Sequence, residues 1–394
     1  GNLPHDSRAT FFQFEEGTDD RNTISSVLPP TPPRDKLDRP PSYMVFSDPF
    51  APLDDLLQHL EEPNHSPLVV AGAVSVPPKQ RRLPSIARNG KVLPAGSLVG
   101  VEFTGNVGLQ AVVAQGCRPV GPTFVITKAA YGTILMELSG ESAISRLEEV
   151  AATAGKQDQE LIRSGEVVCG LGSSEGSEIV LEQPGEDDDE EAEGMLRMQD
   201  DFLIRQIMGF RPVSGSIVVA AGGLKEGKTF RFHVRAAKSA REDMDLMIQR
   251  AKTERLFAGS SSLLKNGPGG PSSTAGKPLA AFQFSCVARG SSFFGVPNVD
   301  LKKVEELFDD EETGSPIAGF FANGEIGPVG IRTSVMAETD AEQSDDKTTS
   351  NTFLHGFTTV VAMLCDYSQA STPAASNEMS AGAIIVDNMD GAWA

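Results

Sequence analysis

The chain has 394 residues, a formal net charge of −20 and a sequence pI near 4.7; at about 100–200 residues per domain, two or three domains or one two-lobed unit are expected. With 39% hydrophobic residues it can bury a sizeable core, which excludes wholesale disorder. Its acidity excludes nucleic acid as a main partner, because phosphate binding needs clustered Lys and Arg, and 6% aromatics with the single Trp393 argue against a base- or sugar-stacking surface.

Residues 1–41 are poorly periodic, and 28–42 (LPPTPPRDKLDRPPS) reads as an extended proline-rich connection. Order is expected to begin at the apolar strand Tyr43–Phe46. Ser47-Asp-Pro-Phe then offers a helix start, and Leu53, Leu56, Leu57 and Leu60 follow at helical spacing, predicting a helix over 52–62. Residues 68–75 read as a buried strand. Residues 97–104 and 107–114 read as a hairpin across Gly105-Asn106. Strands at 122–127 and 132–138 and a helix at 141–153 complete a first lobe, 42–181.

An acidic run, 182–193, lies in a linker over 182–199 and opens the way to a second lobe, 200–366. There, 200–208 (DDFLIRQIM) reads as a short helix and 216–221 as a strand. Thr229–Arg235 alternates strictly, with Phe230, Phe232 and Val234 on one face, as a half-buried strand does. A helix over 239–254 carries Met244, Met247, Ile248 and Ala251 on one stripe; 259–278 reads as a flexible loop. Strands are expected at 281–287, 316–322 and 353–365, with a helix near 300–308 and a polar insertion at 333–351. Residues 367–394 form a tail. Strands outnumber helices and short turns join several, so the fold class is α+β: two lobes, each with a mostly antiparallel or mixed β-sheet flanked by helices.

Three windows, 182–193, 305–312 and 338–346, supply −19 of the net charge. Like-charge runs are usually solvated loops, so the acidity belongs to connections and not to the body. Cys117, Cys169, Cys286 and Cys365 form no CxxC pair and sit among apolar residues, which argues against a zinc site and for a reducing, intracellular compartment. No metal or cofactor is expected. No run of 18 apolar residues exists, so no transmembrane helix is expected.

Two constellations bear on chemistry. Gly222–Thr229 (GGLKEGKT) matches the P-loop pattern by letter, but the loop must open a helix whose free N–H groups face the phosphates; here FRFHVR follows as a strand, so a glycine-lined turn is the better reading. In the last third, three strand ends offer Arg289, Glu325 and His355, with Cys286 nearby. Three readings stand: a binding pocket; a structural set in which Glu325 pairs with Arg289 and His355 bonds backbone; or catalysis by Cys286 with His355 as base and Glu325 orienting it. In the first half, Cys117 and Arg118 lie in a Gly/Pro-rich connection that reads as a tight turn between strands.

SDPF at 47–50, QGCRPVGPTFVITKA at 115–129, FSCVARG at 284–290, GFFANGEIGPVG at 319–330 and FLHGFTTV at 353–360 resemble, in that order, the FIST family, named from F-box and intracellular signal transduction proteins. The resemblance implies an N-terminal and a C-terminal FIST half and a non-catalytic sensory role, with a small molecule such as an amino acid as ligand. The signature positions are Cys286, Arg289, Gly290, Gly324, Glu325, Gly327, His355, Thr358, Cys117 and Arg118. Of these, Arg289, Glu325, His355, Cys286, Gly324, Thr358, Cys117 and Arg118 are the candidate ligand-binding residues. The chain enters the family's first half partway, near Leu3-Pro4 and Phe11-Phe12, so an incomplete first sheet is expected. The motif wording is closest to cyanobacterial and photosynthetic-eukaryote versions, which implies a plastid location. A second hypothesis is an accessory or scaffold subunit of a larger complex, peripheral to a membrane where that complex is membrane-bound and docked through the proline-rich segment and the tail; a third is a cysteine-dependent enzyme.

Overall fold

A computed structural model of the chain describes residues 3–15, 24–30, 39–60, 69–75, 85–172, 202–220, 222–264, 276–308, 316–328, 331–332 and 352–368. The acidic windows 182–193 and 338–346, residues 309–312 of the third, most of the proline-rich stretch and the tail beyond Ser368 lie outside the described residues.

One lobe is a four-layer sandwich. Its first sheet runs Ser7–Phe14, Leu98–Gly105, Ser42–Ser47, Val69–Val74, Glu325–Gly327, Phe353–His355. Its second runs Ile317–Ala322, Lys277–Cys286, Thr358–Asp366, Val107–Gln115, Ile331–Arg332. Among the described strands, only the Ser42–Ser47/Val69–Val74 and Lys277–Cys286/Ile317–Ala322 pairs are parallel. Between the sheets Met44, Ala71, Ala73 and Phe103 meet Val113, Phe284, Val360 and Ala362. The outer face of the first sheet is covered by the helix Leu53–Leu60, whose Leu53, Leu56, Leu57 and Leu60 are all buried, as their spacing predicts. The outer face of the second takes Met244, Met247, Ile248 and Ala251 of the helix Ala237–Leu264. That helix reaches ten residues past the expected end.

The other lobe is a closed antiparallel barrel of six strands, in the order Ile134–Leu138, Ser216–Val219, Phe202–Arg211, Val167–Gly172, Thr229–Arg235, Cys117–Ala130 and back to the first. Phe230, Phe232 and Val234 fill it together with Ile126, Leu135, Leu171 and Ile217. Each large sheet contains strands from before residue 181 and from after residue 200.

Four expectations are corrected. Residues 202–211 are a strand, not a helix, because pairing on both edges, with Val167–Gly172 and with Ser216–Val219, outweighs local propensity. Leu98–Gly105 and Val107–Gln115 are strands but not a hairpin: each pairs elsewhere, and the chain crosses from one sheet to the other at Gly105 (φ +79°) and Asn106. Order begins before Tyr43, since Ser7–Phe14 lies antiparallel to Leu98–Gly105 and buries Phe12 and Phe14. The stretch 353–365 is two strands in two different sheets, separated by Gly356 and Phe357.

Candidate functional site

The break at Gly356-Phe357 builds the site. Before it, His355 stands opposite Glu325 in the first sheet. After it, Thr358 stands opposite Gln115 in the second. Phe357 itself holds φ +61° and packs with Cys117 beside Val168, Phe202 and Ile204 of the barrel. Three sheets thus meet at one corner.

Glu325 is fully buried, 0% exposed. Thr358 donates its hydroxyl to Oε2 at 2.7 Å, while Oε1 has no partner. Burial pushes this carboxyl up to about 8, against the hydrogen bonds from Thr358 and Gly324 and the charge of Arg289. Gly324 precedes it at φ +139°, where a Cβ would lie 2.8 Å from Leu354 Cδ1.

His355 is buried, with Nε2 3.0 Å from the Gly327 carbonyl and Nδ1 unpartnered. A carbonyl only accepts, so Nε2 carries the hydrogen and Nδ1 presents a lone pair. Burial, with Arg205 adding to it, lowers this imidazole to about 4, against the hydrogen bonding of the ring to the backbone carbonyls of Gly327 and Pro328.

Arg289 does not pair with Glu325. It forks onto Asp300, Nε to Oδ2 at 2.8 Å and Nη2 to Oδ1 at 2.9 Å, and Nη1 reaches the Phe357 carbonyl at 3.4 Å. Thr359 donates to Asp300 Oδ2 at 2.7 Å, and its hydroxyl lies 3.0 Å from that of Ser285. The guanidinium is therefore occupied, and a ligand carboxylate would have to break a buried bidentate ion pair to reach it. Gly116 lies against it: a Cβ there would sit 2.7 Å from Nη1 and 3.1 Å from the Phe357 carbonyl oxygen.

Both cysteines of the corner are held as neutral thiols. Burial and the neighbouring Glu325 raise the Cys286 pKa, against the backbone amides of Ala288 and Phe357 and the charge of Arg235. Burial pushes Cys117 up to about 12, although Arg235 and Arg289 act the other way. Thiols raised in this way are poor nucleophiles. Arg235, opposite Cys117 in the barrel, bonds the Ala288 carbonyl at 3.2 Å and lies over the Phe357 ring at 4.7 Å.

The structure therefore brings Cys286, Glu325, His355, Thr358, Gly324, Arg289 and Cys117 to one corner. It does not bring Arg118, which turns away to ion-pair with Asp158 of the helix Lys156–Arg163. Three further residues escaped the sequence reading: Asp300, Asp243 and Arg205. Asp243 accepts the Gln115 amide at 2.6 Å, and burial pushes it up to about 6, against that hydrogen bond and the charges of Arg289 and Arg250. Asp300 resembles an ordinary first-turn helix acid, and only its place after Pro297-Asn298 marks it.

Residues 222–229 hold no phosphate cradle. Thr229–Arg235 is a strand, and the amides of Leu224 and Gly227 are spent on the Gly132 and Ile126 carbonyls at 3.1 and 2.8 Å. Among the described residues no helix is long and apolar enough to cross a membrane.

A FIST N domain model matches residues 4–141 and a FIST C domain model residues 147–328. An uncharacterized protein of Mycobacterium tuberculosis H37Rv is 31% identical over 325 residues, which cover 82% of this chain and 68% of the relative. One of Mycobacterium bovis is likewise 31% identical, covering 82% and 67%. Both of these relatives are mycobacterial. With both domain models matched in order over most of the chain, the chain belongs to the FIST family.

Proposed function

We propose that the protein is a non-catalytic sensory module whose small ligand carries an amine, an amino acid being one such molecule, and that Glu325 receives it. The observation that carries this reading is the Glu325 carboxyl: fully buried, anchored through Oε2 by Thr358, and unpartnered at Oε1. Unpaired buried polar groups are rare and call for an explanation. A ligand ammonium at Oε1 would turn a neutral acid into a paired carboxylate, releasing one proton on binding. The raised thiols of Cys286 and Cys117 support a binding role over nucleophilic chemistry. Half-buried Cys117 and Phe357 edge an otherwise closed cluster, so entry requires that corner to open.

The test is a thermal-shift and calorimetric screen of amino acids and simple amines. A ligand at 100 times its Kd stabilises by about 2.7 kcal/mol. The shift should vanish in Glu325→Gln, and proton release should accompany binding. A shift that survives Glu325→Gln places the ligand elsewhere, and no shift with any amine ends the reading.

A second reading, an accessory subunit, is favoured by the strand Ile317–Ala322, which among the described residues is the edge of its sheet and exposes both Phe320 and Phe321. Such an edge can accept a partner strand. Co-purification of an assembly that is lost on Phe321→Lys would support it. A plastid location belongs to this second reading and is tested by cell fractionation.

A further inference from the structure

Arg205 lies on the strand Phe202–Arg211, opposite Cys169, and is half-buried. Its Nη1 donates to the Ile204 carbonyl at 3.1 Å and to the Leu354 carbonyl at 2.9 Å. Its Nε is buried with no hydrogen-bond partner. Arg118, Arg235 and Arg289 each pair with a carboxylate, respectively Asp158, Glu166 and Asp300. Among the described residues, no carboxylate forms an ion pair with Arg205. The acid whose charge it feels is Asp54, at the start of the helix Leu53–Leu60.

Leu354, which ties Arg205 to the sandwich, immediately precedes His355, and the Arg205 charge acts on that ring. His355 Nδ1 is the second unpartnered buried atom here. No donor reaches its lone pair, while Nε2 holds the Gly327 carbonyl. The two side chains thus present one unused donor and one unused acceptor, and the guanidinium has no ion-pair partner among the described residues.

We propose that Arg205 and His355 form a carboxyl-recognising subsite. One carboxyl oxygen accepts from Arg205 Nε. The other shares a proton with His355 Nδ1: an un-ionised acid brings that proton, and a carboxylate takes it up from solvent through the ring. Either way the guanidinium gains the anionic partner it lacks. A phosphate dianion fits less well, since it needs several donors and the pair offers one donor and one lone pair. Because His355 stands opposite Glu325, a ligand bearing both a carboxyl and an amine would span the two. The inference rests on the ligand-binding reading of this corner and names a second group of the same ligand.

The experiment separates the two groups. Sodium acetate, ethylamine hydrochloride and inorganic phosphate are titrated separately at matched ionic strength, and the His355 ring proton is followed by NMR, assigned through His355→Gln. Acetate should move that signal saturably in the wild type and in Glu325→Gln. Arg205→Gln should weaken the acetate response about tenfold or more, as expected for loss of a charge-assisted hydrogen bond. Should that variant not fold, Arg205→Lys, which keeps the charge and loses Nε, should weaken it in the same direction. An acetate response absent from the wild type, or unchanged in both Arg205 variants, overturns the subsite and leaves the two atoms to a bound water. Phosphate moving the signal where acetate does not also overturns it. Failure of ethylamine with success of acetate would instead sink the Glu325 reading alone.

Discussion

Glu325 and His355 are both buried in their neutral forms, and they impose opposite pH dependences on stability. The Glu325 carboxyl titrates near 8 when folded, against an ordinary 4.5, so the folded state holds the extra proton and stability falls as pH rises through that window. Asp243, raised from 3.8 to about 6, acts in the same sense over its narrower range. His355 and His233 titrate near 4 when folded, against 6.5, so their contribution is lost as pH falls from 6.5 towards 4. Denaturant midpoints measured across pH should therefore lose part of their alkaline decline in Glu325→Gln and part of their acid decline in His355→Gln. A steeper alkaline decline in Glu325→Gln would contradict the assignment. Asp300→Ala should cost about 3–5 kcal/mol, because it strands the buried Arg289 charge. The residue types at this corner were legible in sequence, since Arg289, Glu325, His355 and Cys286 end or open apolar strands. Their pairing was not. One of the three open readings paired Glu325 with Arg289, while the partner, Asp300, sits eleven residues on, at a helix start.

At the scale of elements, local pattern was readable wherever it did not compete with long-range pairing. FRFHVR alternates and is a strand; the four leucines of 53–60 line one helix face and are buried. Leu56→Ala should cost about 2–5 kcal/mol in chemical denaturation, since that side chain is fully buried between helix and sheet. FLIRQIM misleads because Phe202, Leu203, Ile207 and Met208 also fit a helical stripe; only the neighbouring strands, distant in sequence, decide for β. Gly105-Asn106 misleads in the opposite direction, since a favoured turn pair here carries the chain between sheets. Gly116→Ala tests the close fit between elements. Its methyl would crowd Arg289 and the Phe357 carbonyl, so a loss of about 1–3 kcal/mol is expected, as for overpacking elsewhere.

For the whole molecule, the sequence suggested two successive lobes, while the hydrogen-bonded sheets draw on both ends of the chain. Val107–Gln115 needs Thr358–Asp366, Val69–Val74 pairs with Glu325–Gly327, and the barrel closes only when Phe202–Arg235 joins Cys117–Gly172. A fragment of residues 1–181 should therefore show no cooperative unfolding transition alone and should regain one when mixed with 182–394; an independently folded fragment would refute this. The same lacing bears on how the protein is made. At about 5–20 residues per second, the strand Val107–Gln115 leaves the ribosome on the order of tens of seconds before its neighbour Thr358–Asp366 exists. Through much of that interval its outer face, Val112 and Ala114, lacks the helix Ala237–Leu264 that covers it in the folded protein. Vectorial synthesis thus offers this chain no early resting point, and its newborn first half is a natural client for a holding chaperone.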